Sequence, residues 1–215
     1  FTDTSEFAQS ETVVAEANGI VVVTTAADTL DGDTTSLTTL LANKGADGEI
    51  SLREAITAAN NTANGATPDQ INFNIAGTGT HTITLSSVLP TLTDAVILDA
   101  STDDSFAVNG NRPAIVLNGN NGAYSGLLLG SSANGSTIRG LVITNFQFSG
   151  IDIEAGSDGN TIAGNYIGNI GASGTVIATG NGSTGIFVNG SNNIIGGASA
   201  GDRNVIGGNS FDGVF

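Results

Sequence analysis

The 215-residue chain has no cysteine, no methionine and no tryptophan, and it carries only three prolines, two tyrosines and one histidine. Without cysteine no disulfide scaffold can hold it together. Basic residues are also scarce: five Lys and Arg stand against 20 Asp and Glu, giving a formal net charge of −15 and a pI near 4.1. A surface of that sign repels nucleic acid and anionic membrane, and it leaves carboxylates free for Ca²⁺. No apolar run approaches the length that spans a bilayer; the longest, Gly19-Ile-Val-Val-Val23, reads as a strand. The chain starts at Phe1 without an initiator Met, which suggests a processed mature form or an excised segment. Either suits export.

What the sequence does contain is repetition. Glycine is abundant, at 31 residues, and a Gly-apolar-x-apolar start recurs as Gly126-Leu-Leu-Leu129, Gly150-Ile-Asp-Ile153, Gly185-Ile-Phe-Val188 and Gly213-Val-Phe215. A second element recurs as Ser136-Thr-Ile-Arg-Gly140, Asn160-Thr-Ile-Ala-Gly164 and Asn192-Asn-Ile-Ile-Gly196. Self-similarity at intervals of roughly 20–50 residues marks a stacked architecture, in which neighbouring units bury each other's apolar faces. The apolar runs are short, rich in Ile and Val, and broken by Gly, Asn, Ser and Asp, so they predict short strands joined by turns rather than helices. Three strands per unit of roughly 24 residues describes one coil of a parallel β-helix, longer units looping out their excess. On this reading Leu127, Ile151, Ile186 and Val214 stack inside, as do Ile138, Ile162 and Ile194.

At these residues the chain resembles the right-handed parallel β-helix repeats of large bacterial secreted and surface proteins. The resemblance is carried by Asn160-Thr-Ile-Ala-Gly-Asn-Tyr-Ile-Gly168, Asn192-Asn-Ile-Ile-Gly-Gly197 and Ala200-Gly-Asp-Arg-Asn-Val-Ile-Gly-Gly-Asn209. Upstream, Ser51-Leu-Arg-Glu-Ala-Ile56, Asp69-Gln-Ile-Asn-Phe-Asn-Ile75, Gly79-Thr-His-Thr-Ile83 and Leu89-Pro-Thr-Leu92 are similar to the C-S-L-R-E-A-type N-terminal segment of the same proteins. Ile50 stands where that motif has its Cys. The resemblance implies an all-β, pectate-lyase-like fold at a cell surface and specifies little about function.

In chain order, residues 1–18 read as an acidic extended arm or linker, with Val13 and Val14 as its one apolar pair and a candidate for pairing with a neighbouring molecule. Residues 19–67 read as an N-terminal strand, loop and capping helix, and residues 68–215 as the β-helix. Asp28, Asp31 and Asp33, with Gly32 between them, are candidate Ca²⁺ ligands, although the spacing departs from an EF-hand loop. A Thr-rich loop follows, to Asp47-Gly-Glu49. Ser51-Leu-Arg-Glu54 is a capping box, and Leu52, Ala55, Ile56 and Ala59 form one stripe on a helix over residues 51–60. That helix is the expected lid over the first coil, with a catalytic role for Arg53 and Glu54 as the alternative.

Beyond Pro68, Ile71, Phe73, Ile75, Ile83 and Leu85 alternate as inward residues, and Ala95–Leu98 and Ala114–Leu117 continue the wall. The strand count predicts four to five coils, a rod some 20–25 Å long at about 4.8 Å per coil. His81 is expected to face outward. Asp103-Asp104 is the one adjacent carboxylate pair, and paired carboxylates drive glycoside hydrolysis; the Gly-His and Arg-x-Lys motifs of hydrolases on this fold are missing. Lys44, Arg53, Arg112, Arg139 and Arg203 are the only bases a lyase could use, and none lies in a recognisable motif. The asparagines at 134, 160, 165, 192, 193, 204 and 209 suit strand corners, stacking along the axis. Asn-x-Ser/Thr sequons at Asn60, Asn134, Asn181 and Asn189 arise readily in Asn-rich sequence. The Thr80–Thr84 alternation lacks the repeated Thr-x-Thr array of an ice-binding face.

The chain stops within a repeat, so Gly213, Val214 and Phe215 are expected at an uncapped end, available for head-to-tail stacking or for continuation into a longer chain. The sequence thus predicts a non-catalytic extracellular structural or adhesive module, or a filament subunit, that meets a cell-surface or carbohydrate ligand without a required cofactor. A polysaccharide lyase or glycoside hydrolase on the same fold is the alternative, and a groove joining Arg112 to Asp103-Asp104 would favour it.

Overall fold

The computed structural model describes residues 19–215; Val13 and Val14, with the rest of the expected acidic arm, lie outside them. The chain runs from β1 (Ile20–Val23) through α1 (Leu37–Ala42) and α2 (Leu52–Asn60) into β2 (Asp69–Phe73). It continues through β3 (His81–Thr84), β4 (Val96–Asp99), α3 (Asp104–Val108) and β5 (Ile115–Gly122). Nine strands of two to six residues follow: β6 (Leu127–Leu129), β7 (Thr137–Arg139), β8 (Leu141–Phe146), β9 (Ile151–Ile153), β10 (Thr161–Ala163), β11 (Tyr166–Gly168), β12 (Ile186–Val188), β13 (Ile194–Ile195) and β14 (Val205–Gly207).

These strands form three sheets, ordered β1-β2-β4-β7-β10-β13, β14-β11-β8-β5-β3 and β12-β9-β6. Every pairing between named strands is parallel. Single parallel bridges, Leu92 to Leu129 and Ile186 to Val214, extend the third sheet at both edges. With these included, the chain visits first, second and third sheet in strict rotation, five times over, from β2 to Val214. The protein is therefore mostly sheet with few helices, its parallel strands gathered in three sheets.

Register explains the core. Val21, Ile71, Leu98, Ile138, Ile162 and Ile195 align across the first sheet. Ile83, Leu117, Ile143, Ile167 and Ile206 do so across the second. Leu127, Ile151, Ile186 and Val214 do so across the third. These rows belong to one apolar cluster, apart from Val214, which stays exposed. Each fully buried member contributes about 1.5–3 kcal/mol. The leading glycines have a steric cause: a Cβ on Gly150 would lie 2.8 Å from the Gly185 carbonyl oxygen, and one on Gly185 2.6 Å from that of Gly213. Only glycine lets successive third-sheet strands approach this closely.

Asparagines bridge successive strands of the three sheets at their turns. The buried Asn160 side chain accepts from Ser136 N at 2.8 Å and donates to Asn193 Oδ1 at 2.9 Å. Asn165 accepts from Leu141 N at 3.0 Å, donates to Ile138 O at 2.9 Å, and lies beneath Asn204, whose Oδ1 takes its backbone N–H at 2.9 Å. Asn181 donates to Asn209 Oδ1 at 3.0 Å.

The structure corrects several expectations. Ile162 pairs with Ile195, not Ile194, because Asn160 stacks on Asn193; Asn192 takes a left-handed turn with φ 58. The slip of one residue puts Ile194 outside, since side chains alternate faces along a strand. The Thr-rich stretch is not all loop: Ser36 caps α1, with the Thr39 hydroxyl in the place a Glu would hold in a capping box. His81 shares the inward parity of Ile83 and aligns with buried Ile115; it is half-buried rather than turned outward. Asn134 joins no asparagine row and instead accepts from Asp158 N at an exposed corner.

Candidate ligand-binding surface

The three aspartates expected near a metal have separate partners. Asp28 takes both arms of Arg53, at 2.9 Å each, and also accepts from Ser86 N at 2.8 Å and its hydroxyl at 2.6 Å. Burial pushes the Asp28 carboxyl upward, but the Arg53 and Ser86 hydrogen bonds outweigh it and hold it below its ordinary 3.8. Asp31 Oδ2 accepts from Ala46 N at 2.7 Å, while Asp33 Oδ1 accepts the Thr35 hydroxyl at 2.6 Å. The Thr35 hydrogen bonds lower the Asp33 carboxyl. Among the described residues no three His, Cys, Asp or Glu side chains are grouped to hold a metal ion.

Arg53 and Glu54 are engaged within the N-terminal helical region. Arg53 also donates to the carbonyls of Val88 at 2.7 Å and Ser87 at 3.0 Å, tying α2 to the loop after β3. Glu54 is fully buried and accepts three backbone N–H groups, from Asp31, Gly32 and Ser51, each at 2.8 Å. The carboxylate thus replaces water for three amides from two separate segments, the loop before α1 and the start of α2.

Asp103 and Arg112 do not converge. Asp103 is buried, caps α3 through Ser105 and accepts from Ile75 N at 2.9 Å. Arg112 donates to the carbonyls of Asn109 at 2.8 Å and Ser173 at 2.7 Å. Two of the sequons are likewise engaged: Asn181 is buried, and Asn60 donates to Thr91 O and accepts from Thr93 N.

Two surface concavities do gather functional groups. The larger, about 360 Å³, lies at the corner after the second sheet and is lined by the amides of Asn121, Asn145, Gln147 and Asn181. No charged residue lines it. Asn145 and Asn121 hold left-handed backbone, φ 64 and 58, while Asn145 donates to Asn118 Oδ1 at 2.9 Å and Gln147 to Asn121 O at 2.8 Å. Asn121 and Gln147 expose side-chain amides here, each carrying a donor and an acceptor together, the pattern that sugar hydroxyls match, while Asn181 lies buried beneath them.

The second, about 250 Å³, is apolar and lies on the outside of the third sheet, bounded by Phe187, Phe211 and Phe215 with Ser183, Thr184 and Asp212. Phe187 and Phe215 stack with centroids 5.5 Å apart and planes 10° from parallel. Gly213, Val214 and Phe215 are thus brought together here as a short added strand: Ile186 N donates to Gly213 O at 2.9 Å and Phe215 N to Ile186 O at 3.0 Å. Across the sheet, Phe187 aligns with Asp152. Burial, then the neighbouring charge of Glu154, raises the Asp152 carboxyl above its ordinary value. The repeat carried the signal for this row, since Asp152, Phe187 and Phe215 all occupy the x position after the leading glycine. The amide corner left no comparable mark in the sequence.

In comparisons with known proteins, no family model, no curated protein and no solved structure matches the chain. Among the described residues no helix is long and apolar enough to cross a membrane.

Proposed function

We propose that the chain is a right-handed parallel β-helix, three strands per coil, that works as a non-catalytic structural and adhesive module outside the cell and binds neutral saccharide at its amide corner. The solenoid reading is supported by the strict rotation through three parallel sheets and by the 24-residue steps of Ser136 to Asn160 and Leu141 to Asn165. Parallel crossovers are almost always right-handed. The extracellular setting is supported by the resemblance of the repeats and of Ser51–Ile56 to bacterial surface proteins. Self-association along the axis, through the third-sheet edge at Gly213–Phe215, belongs to the same proposal.

The observation that carries adhesion is the uncharged corner lined by Asn121, Asn145, Gln147 and Asn181. On a protein of net charge −15, an uncharged polar concavity favours a neutral hydroxyl-rich ligand over an acidic one. One observation favours the alternative, a carbohydrate-active enzyme: Asp152, raised by burial, stands two residues from Glu154 on one outer face, as a general acid and its partner would.

One experiment separates them. The chain is incubated with insoluble neutral polysaccharides, co-sedimentation is scored, and the supernatant is assayed for new reducing ends and unsaturated products. Retention that falls in Gln147→Ala, with no products, is expected. Products that vanish in Asp152→Asn would establish the enzyme, and no retention on any neutral polysaccharide would end the adhesive reading. Sedimentation velocity over a concentration series tests self-association, for which a single monomeric species is the adverse result.

A further inference from the structure

The concavity of about 250 Å³ on the third sheet combines features that the saccharide reading does not use. Three phenyl rings, Phe187, Phe211 and Phe215, line it together with one carboxylate, Asp212. In the described chain Phe211 and Phe215 are 71% and 66% exposed, so their ring faces are within reach of a ligand. The one charged residue that lines the concavity is an acid. Asp152 is the register neighbour of Phe187, and Glu154 lies two residues on. Three of the five basic side chains are engaged elsewhere: Arg53 with Asp28, Arg112 with backbone carbonyls, Arg139 beside Asp99.

Phenyl faces are negative in their quadrupole and attract cations; methylated ammonium groups gain most, because they are large, weakly hydrated and apolar at their surface. A carboxylate beside the rings adds Coulomb attraction without a strong hydration competitor. A neutral apolar ligand would find the rings but waste the charge, and an anion would be repelled.

We propose that Phe187, Phe211, Phe215 and Asp212 form a binding site for a choline-type trimethylammonium group. The site is independent of the amide corner, so either can fail alone.

The test is titration of the full chain with choline, with its neutral isostere 3,3-dimethyl-1-butanol, and with ethanolamine, followed by NMR. Choline is expected to bind about tenfold more tightly than the isostere, with the largest shifts at Phe187, Phe211 and Phe215. Binding should weaken as salt rises, because the charges are exposed. Phe211→Ala removes an exposed ring and leaves the fold intact; it should weaken choline about fivefold. Asp212→Asn should weaken choline and leave the isostere unchanged. Equal affinity for choline and isostere would reduce the site to a plain apolar groove and overturn the proposal. So would absence of choline binding to the folded chain, unchanged binding in Phe211→Ala, or tighter binding of ethanolamine than choline.

Discussion

At the N-terminal end of the described chain, Val21 of the first-sheet row is 0% exposed, and Leu37, Leu40, Leu52 and Ile56 cover it in one continuous core. In the fifth pass, Val214, an inner-row residue of the third sheet, is 46% exposed. Ile195 and Ile206, the inner residues of the other two sheets there, are only partly buried against the core. β1 and the fifth pass present the same kind of Ile and Val row. Over β1 that row is covered by two short helices that repeat nothing, positioned by buried polar groups. Parallel strands in register specify one another's inner faces, but covering β1 takes a separate device from outside the repeats.

The sharpest way to break that comparison is to remove the device. Glu54→Ala leaves the amides of Asp31, Gly32 and Ser51 unpaired in the cap, and stability should fall by about 3–4 kcal/mol. In thermal unfolding followed by circular dichroism this is a drop of roughly 10 °C; a change of a degree or two would show that the helices hold without the carboxylate. The corresponding device inside the repeat is smaller. Asn165→Ala orphans Leu141 N and the Ile138 carbonyl between passes, for a cost of about 2 kcal/mol. Asn192→Gly is the control: at φ 58 glycine suits the backbone, so chemical denaturation should give wild-type stability within about 0.5 kcal/mol.

Asp28 supplies a pH axis. Its carboxyl is held below the ordinary 3.8 by Arg53 and Ser86. A depressed folded-state value stabilises above the unfolded value and is lost as pH falls through the folded one. Asp28→Ala should therefore cost about 1.5 kcal/mol at neutral pH. Its unfolding curve should converge on wild type below about pH 3.8, starting from that ordinary value. A gap that persists unchanged at pH 2 would assign the loss to packing.

Much of the architecture could be read from residue order, and the reasons are local. Ser51 and Glu54 announced the cap because a capping box is a bond between neighbours in sequence. Ile71, Phe73 and Ile75 announced the wall because alternation is a property of one strand. What escaped was set by distant partners. Nothing near Glu54 indicates that it also satisfies Asp31 and Gly32. Asn181 looked like a sequon, because its partner Asn209 lies 28 residues on. The phenyl site was half legible: Phe187 and Phe215 share a repeat position, whereas Phe211 and Asp212 come from the turn before it.

The smallest expected effect tests register itself. Glycine spacing in the repeats pairs Ile162 with Ile194; the asparagine row pairs it with Ile195. The two alignments put opposite residues inside, since one step along a strand reverses the face. Ile194, 54% exposed, should therefore tolerate alanine within about 0.5 kcal/mol. Ile195, packed against the core, should lose about 1 kcal/mol, at the low end for a truncated core residue because its burial is partial. Denaturant midpoints for the two single variants, measured side by side with equal slopes, decide it. The reverse order would mean that glycine spacing, not asparagine stacking, sets the fifth pass.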